Sequence, residues 1–122
     1  MSFSEELEMM GLAPIEFTGI ENEDLKTKII EELMKVNDPE INVDIINLGL
    51  VYGVHLDQEK NLNVKMTLTA IGCPLAGTIT GQAEQVLKNI PEIKQVEVEI
   101  VWNPPWDRNR VSKIASIQLG LR

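Results

Sequence analysis

The stretch that decides the fold is residues 62–90, which read LNVKMTLTAIGCPLAGTITGQAEQVLKNI. Residues 62–69 alternate between apolar and polar side chains, which is the period of a half-buried β-strand. From Leu75 to Ile90 the apolar side chains recur every three or four positions, which is the spacing of one helix face. The chain's single cysteine, Cys73, therefore lies where a strand is expected to turn into a helix.

The Gly72-Cys73-Pro74 junction predicts a reactive, partly exposed thiol. Pro74 suits the first helical position because it has no amide hydrogen to leave unpaired, and this places Cys73 at the N-cap. Free backbone N–H groups and the positive end of the helix dipole lower the pKa of a thiol there and favour the thiolate, which is both the nucleophile and the metal ligand. The alternative interpretation is a small buried hydrophobic side chain, which is the common role of a lone cysteine.

The remaining patterns predict an α/β (α+β) two-layer sandwich in the order α-β-β-α-β-α. A helix begins at the N-cap Asn22 and stops before Pro39, because a residue that precedes proline avoids the helical region. We expect a three-stranded sheet with the two long, amphipathic helices on one face. The predicted strands are 50–56, 62–69 and 96–102, and the last two helices are 74–89 and 111–119. The predicted domains are a loosely ordered N-terminal extension (1–22) and one folded domain (23–122).

The helix-free face of the sheet is expected to be mostly polar, with the single histidine, His55, solvated near the hairpin. A less polar end, which includes Val51 and Val101, would need cover from the C-terminal helix or from a second subunit. Trp102 is expected to pack. Trp106 follows two prolines, and it is either a packing residue or an exposed partner-binding contact.

Composition limits the class of protein. The 122 residues are 43% hydrophobic and 25% charged, with a net charge of −8, which argues against binding to nucleic acid or to anionic membranes. No apolar run approaches the ~20 residues of a membrane helix, and the first residues lack the pattern of a secretory signal. One cysteine cannot form an internal disulfide, so we expect a cytoplasmic protein.

One thiolate per chain is too few for a closed metal site. Iron–sulfur clusters and structural zinc are usually held by four ligands, and the sequence contains neither CxxC nor HExxH. Two subunits could contribute two Cys73 thiolates, so we predict a homodimer and a transient iron–sulfur cluster or iron atom rather than a permanent one.

A thiol enzyme would need a base near Cys73. The acidic residues Asp38, Glu40 and Asp44 precede the first predicted strand, and the second strand of an antiparallel hairpin ends beside the start of the first. We therefore expect their loop to lie near Thr69 and Cys73. The alternative is that Asp38 only ends the first helix in a turn and that Glu40 is solvated.

These segments together resemble the small iron–sulfur cluster assembly domain family, over about residues 23–122. The matching segments are Asp38-Pro39-Glu40, residues 46–52 (INLGLVY), residues 66–77 (MTLTAIGCPLAG), Pro104-Pro105-Trp106 and Arg110-Val111-Ser112. Members include SufT-like auxiliary factors of the Suf pathway, eukaryotic cytosolic iron–sulfur targeting factors and PaaD. The extra cysteines of PaaD-like members are missing, which favours the SufT-like branch.

The resemblance implies a two-layer α/β fold and a pocket of Asp38, Glu40, Thr69 and Cys73. It also implies a non-enzymatic role in maturing iron–sulfur proteins, with assembly machinery and apo client proteins as partners. Two alternatives stay open: a thiol-dependent enzyme with Cys73 as nucleophile, and an adaptor subunit of a PaaD-like oxygenase maturation complex that binds through Trp106.

Overall fold

The computed structural model describes residues 11–13, 15–38, 42–68, 76–103 and 105–119. A 3-10 turn at Arg108–Arg110 precedes the last helix. In chain order the elements are β1 (Glu16–Thr18), α1 (Glu23–Leu33), β2 (Val51–Leu56), β3 (Asn61–Met66), α2 (Ala76–Leu87), β4 (Gln95–Ile100) and α3 (Lys113–Leu119).

Helix α1 begins where the sequence predicts. The side-chain oxygen of Asn22 accepts hydrogen bonds from the backbone N–H groups of Asp24, at 2.8 Å, and Leu25, at 3.4 Å. These bonds satisfy amides that have no partner within the helix. The helix ends at Leu33, and its buried face is Leu25, Ile29, Ile30 and Leu33.

The sheet has the strand order β1-β2-β3-β4. Strands β2 and β3 form an antiparallel hairpin, and each outer strand runs parallel to its neighbour. Because parallel neighbours need a crossover connection, α1 links β1 to β2 and α2 links β3 to β4. The fold is therefore two β-α-β units joined by a hairpin, followed by α3.

The prediction of three strands is corrected by β1. This strand has only three residues, too few for an alternation of apolar and polar side chains to be recognised, and it pairs with residues 37 positions later, Thr18 with His55. The same stretch of chain also contributes Leu12, Ile15 and Ile20 to the core. The division of the chain at residue 22 stays a prediction, and residues 1–10 lie outside the described part.

The two long helices share one face of the sheet, as predicted. Helix α1 contacts α2, and α2 contacts β4. Their apolar residues join the inward-facing residues of β2 and β3 in a single core, which includes Ile29, Leu33, Ile79, Leu87, Val54, Leu62, Val64 and Met66. The opposite face is exposed at His55, Lys65, Glu97 and Glu99. Within the described residues, no helix is long and apolar enough to cross a membrane.

Candidate cysteine site

The structure describes the surroundings of the predicted pocket better than the pocket itself. Of its four residues, Asp38 is described, whereas Glu40, Thr69 and Cys73 lie outside the described residues. The chain is described up to Leu68 after β3 and again from Ala76, where α2 begins. The placement of Cys73 at a helix N-cap therefore stays a prediction.

The hairpin register agrees with the sequence argument about which ends meet. Val51, the first residue of β2, pairs with Met66, the last residue of β3. One step further, the N–H of Thr67 donates to the carbonyl oxygen of Leu50 at 2.8 Å. The segment that leads into β2 therefore lies beside the segment that leads toward Thr69 and Cys73.

Backbone hydrogen bonds extend this neighbourhood to the loop of Asp38. The N–H of Leu50 donates to the carbonyl of Ile45 at 3.0 Å, and the N–H of Ile45 donates to the carbonyl of Val36 at 2.9 Å. Val36, Ile45, Leu50 and Thr67 thus form a continuous series of backbone bonds. Asp38 lies two residues after one end of this series, and Thr69 lies two residues after the other end.

Two backbone hydrogen bonds join Asp38 to the residues four and five positions later. Its N–H donates to the carbonyl of Val43 at 2.9 Å, and its own carbonyl accepts from the N–H of Asn42 at 2.7 Å. Only 5% of Asp38 is exposed, which is rare for an aspartate. Helix α1 ends five residues earlier, at Leu33, so Asp38 does not terminate the helix.

Thr67 brings a second buried polar group to the same end of the sheet. The residue has no exposed surface, and its hydroxyl has no hydrogen-bond partner within the part of the chain that the structure describes. Native proteins rarely bury a hydroxyl without a partner, because burial removes its hydrogen bonds to water and no other hydrogen bond replaces them. Sequence reasoning did not single out this residue, because on the pattern it is one of several polar positions in a strand.

A polar network fixes the segment that follows the Asp38 loop. The carboxylate of Asp44 accepts from the backbone N–H groups of Ile46, at 3.1 Å, and Asn47, at 2.9 Å, and from the side-chain amide of Asn47 at 2.7 Å. The oxygen of that amide accepts from the hydroxyl of Ser112 at 2.6 Å. Asp44, one of the three acidic candidates for a base, is therefore engaged in holding this turn.

Arg110 also joins the segment before α3 to the segment that leads into β2. Its Nε donates to the carbonyl of Gly49 at 2.7 Å and its Nη2 to that of Val51 at 3.3 Å, while the guanidinium lies 4.4 Å from the ring centroid of Tyr52. Burial lowers the pKa of the guanidinium from its ordinary value, and Tyr52 opposes that shift. We call the two bonded segments, residues 44–52 and 106–112, the clamp.

The clamp explains two of the sequence segments that carry the family resemblance. Gly49 has a φ of 72°, and a Cβ there would lie 2.6 Å from the Cβ of Arg110 and closer still to its carbonyl oxygen. Only glycine combines that backbone conformation with such a close approach. The sequence held a signal for this contact, a lone glycine ahead of a strand, but not the identity of the segment that approaches it.

The two tryptophans have different environments, and only that of Trp102 differs from the prediction. Trp106 is half-buried against the core, and its indole N–H donates to the carbonyl of Leu48 at 2.7 Å. It packs into the clamp, and its role in binding a partner stays a prediction. Trp102, which was expected to pack, is 42% exposed.

Val51 does not lie at the less polar end of the helix-free face, where the alternation predicts it. The register of β2 shifts between Val51 and Gly53, so Val51 pairs with the inward-facing Met66 and is only 1% exposed in the core. Val51 therefore gives no reason for a second subunit, and the predicted dimer loses that part of its motive. Val101 remains half-buried.

His55 is placed as the sequence predicts. It is exposed on the helix-free face, pairs with Asn63 near the hairpin, and its Nδ1 lies 2.7 Å from the hydroxyl of Thr18. Among the described residues, no group of three or more histidine, cysteine and acidic side chains could hold a metal ion.

Comparison with known proteins identifies the family. A family model described as iron-sulfur cluster assembly protein matches residues 26–100. The chain is 49% identical over 100 residues to the Fe-S protein maturation auxiliary factor YitW of Bacillus subtilis, covering 82% of this chain and 98% of that protein. It is 51% identical over 86 residues to the Fe-S protein maturation auxiliary factor SufT of Staphylococcus aureus, covering 70% of this chain and 98% of that protein.

A solved structure agrees with the fold. The crystal structure of a domain of unknown function from Bacillus anthracis is 48% identical, superposes with a TM-score of 0.75, and covers 82% of this chain and 95% of that one. The residues that the family model matches, 26–100, include the Asp38 loop, the hairpin, α2 and β4. The chain belongs to the iron–sulfur cluster assembly protein family, as the sequence segments predicted.

Proposed function

We propose that this protein is a non-enzymatic maturation factor for iron–sulfur proteins, which receives a cluster or iron atom at Cys73 and hands it to apo client proteins. The observation that carries the proposal is the identity of about half of the matched residues to two maturation auxiliary factors, over nearly their whole length. The cluster is cargo and not a resident cofactor, because one cysteine supplies one thiolate. We propose that this work takes place in the cytoplasm.

The chemistry assigned to the site is ligand exchange. The Cys73 thiolate binds iron, and a client thiolate then displaces it, so no electron is transferred and the cysteine is regenerated as thiol or thiolate. Asp38, Glu40 and Thr69 complete the proposed pocket. The burial of Asp38 and the bonded series from Val36 to Thr67 support this grouping, because three successive backbone hydrogen bonds link the residue before the Asp38 loop to the residue after β3.

The first test is transfer from the reconstituted protein. Wild type and Cys73→Ser are loaded anaerobically with iron and sulfide, followed by visible absorption, and then mixed with an apo iron–sulfur dehydratase whose activity reports delivery. We expect wild type to activate the client and Cys73→Ser to lose both the absorption and the delivery. Equal delivery by the two proteins would favour the adaptor interpretation over cargo transfer.

Asp38 is tested by a matched pair of substitutions. Asp38→Asn keeps the shape of the side chain and removes its charge, and Asp24→Asn makes the same change on the exposed first turn of α1. If the carboxylate assists the hand-over, Asp38→Asn slows delivery while Asp24→Asn does not. A thiol-dependent enzyme would be indicated instead if turnover of a thioester or other acyl substrate required Cys73.

The homodimer remains part of the proposal, because two chains are the simplest way to double the thiolate ligands. Sedimentation equilibrium of wild type and Cys73→Ser, each with and without iron and sulfide, tests it. A dimer of wild type that depends on loading and on Cys73 supports a cluster shared between subunits. A monomer in every state rules out the shared cluster and leaves Cys73 as a single-ligand contact.

A further inference from the structure

Among the described strands, β4 lies at one edge of the sheet. It is the last strand in the strand order, and no described strand pairs with the edge that faces away from β3. An edge strand directs alternate N–H and C=O groups away from its sheet, where they are free to pair with another extended chain. Six residues is long enough for such pairing, and β4 contains neither proline nor glycine.

On the face of the sheet that the helices cover, β4 carries a partly exposed apolar stripe. On β3, the inward-facing Leu62, Val64 and Met66 are at most 1% exposed. Their partners on β4 are only half-buried, and Trp102 continues the same alternation with 42% of its surface exposed. The β4 stripe consists of Val96, Val98, Ile100 and Trp102. A fifth strand would bury this surface as β4 buries that of β3.

On the helix-free face of the sheet, β4 is acidic. Glu97 and Glu99 are exposed, and β3 places Asn63 and Lys65 opposite them. Neither glutamate forms an ion pair with a described residue. Opposite charges that face each other on neighbouring strands stabilise a sheet, and like charges destabilise it.

The charge pattern disfavours a second copy of this chain as the occupant. In an antiparallel pair the residues directly opposite each other share a face, so pairing β4 with itself about its centre sets Glu97 opposite Glu97 or Glu99 of the second copy. We propose that β4 instead binds an extended segment of another protein in which apolar residues alternate with lysine or arginine. The apolar side chains cover the stripe, and the basic side chains face Glu97 and Glu99.

The test uses a synthetic nine-residue peptide of alternating lysine and valine. Two controls accompany it: a peptide of the same composition with the lysines in one block, and a peptide of alternating glutamate and valine. Fluorescence anisotropy of labelled peptide gives the affinity, and hydrogen exchange locates the contact. We expect the alternating basic peptide to bind best and to protect amides of β4.

Matched charge reversals separate this surface from general electrostatic attraction. The double variant Glu97→Lys/Glu99→Lys should weaken binding of the basic peptide about tenfold and strengthen that of the acidic one. Glu16→Lys/Glu31→Lys changes the net charge equally, at exposed positions on β1 and α1, and should change affinity less than about twofold. Cys73→Ser should bind as wild type does, so the result is independent of cargo transfer.

Several outcomes would overturn the proposal. These are undetectable binding to wild type, equal affinity for the blocked peptide, equal loss in the two double variants, or protection outside β4. Dimerisation of wild type through β4, detected as protection of its amides at high concentration without peptide, would assign the edge to a second copy. If the Glu97/Glu99 variant fails to fold, Trp102→Ala replaces it, and unchanged affinity in that variant counts against the docking surface.

Discussion

The clamp and the neighbouring end of β3 differ in whether their buried polar groups have hydrogen-bond partners. In the clamp, Asn47, Ser112 and Arg110 all have side-chain hydrogen-bond partners. At the end of β3, the fully buried hydroxyl of Thr67 has no partner within the described residues. Satisfied buried groups stabilise one arrangement of the chain, whereas an unsatisfied one costs free energy. The clamp is therefore expected to provide stability, and the end of β3 to carry a cost.

The largest expected effect is in the clamp, at Gly49. Gly49→Ala adds a methyl group against the backbone of Arg110 at a φ of 72°, so the two segments must separate. We expect a loss of about 3 kcal/mol or more in the free energy of unfolding. Gly81→Ala is the control, because a Cβ there meets nothing within 4 Å in helix α2, and it should stabilise by about 1 kcal/mol. Denaturant unfolding measures both, and similar losses in the two variants would contradict a role for close packing at Gly49.

A smaller loss is expected from Ser112→Ala. The Ser112 hydroxyl donates to the Asn47 side chain and accepts from the N–H of Ala115, so it joins the clamp and caps α3. Its removal should cost about 2 kcal/mol, since it leaves a half-buried amide oxygen and a helix amide without partners. Ser116→Ala, within the same helix, should change stability by less than about 0.5 kcal/mol. Equal unfolding midpoints for the two variants would show that the clamp does not depend on this hydroxyl.

The clamp also marks how far the sequence could predict the structure. Periodicity predicted the hairpin and the two long helices, and hairpin geometry predicted that the start of β2 lies beside the end of β3, because these features depend on local patterns. It could not predict that residues 110–112 lie against residues 47–51, because contacts about 60 positions apart leave no periodic trace. Strand β1 could not be predicted for the same reason. The exposure of Trp102 could not be predicted because alternation shows on which face of a strand a side chain lies, but not whether another strand covers it.

Thr67→Val should change stability in the opposite direction from the clamp variants. The substitution keeps the shape and removes a buried hydroxyl that has no partner, so we expect a gain of about 1 kcal/mol in the free energy of unfolding. Thr78→Val, on the exposed part of α2, is the control and should change little. A loss of stability in Thr67→Val would indicate that the hydroxyl has a partner in the native protein. The transfer assay on the same variant shows whether the hydroxyl contributes to hand-over.

The smallest effect is expected where a carboxylate has several hydrogen bonds but no burial. Asp57, in the β2–β3 turn, accepts from the N–H groups of Asn61 and Glu59, both at 2.9 Å, and from the side-chain amide of Asn61 at 3.2 Å. The backbone hydrogen bond from Asn61 is the main cause that lowers the pKa of Asp57. Because the folded pKa lies below the unfolded one, this contribution to stability is present above pH ~4 and is lost as the pH falls through the folded pKa. Asp57→Asn should therefore lower the thermal midpoint slightly at pH 7, and its difference from wild type should shrink as the pH falls below ~4. A difference that stayed constant down to pH 2 would show that the charge of Asp57 does not stabilise the turn.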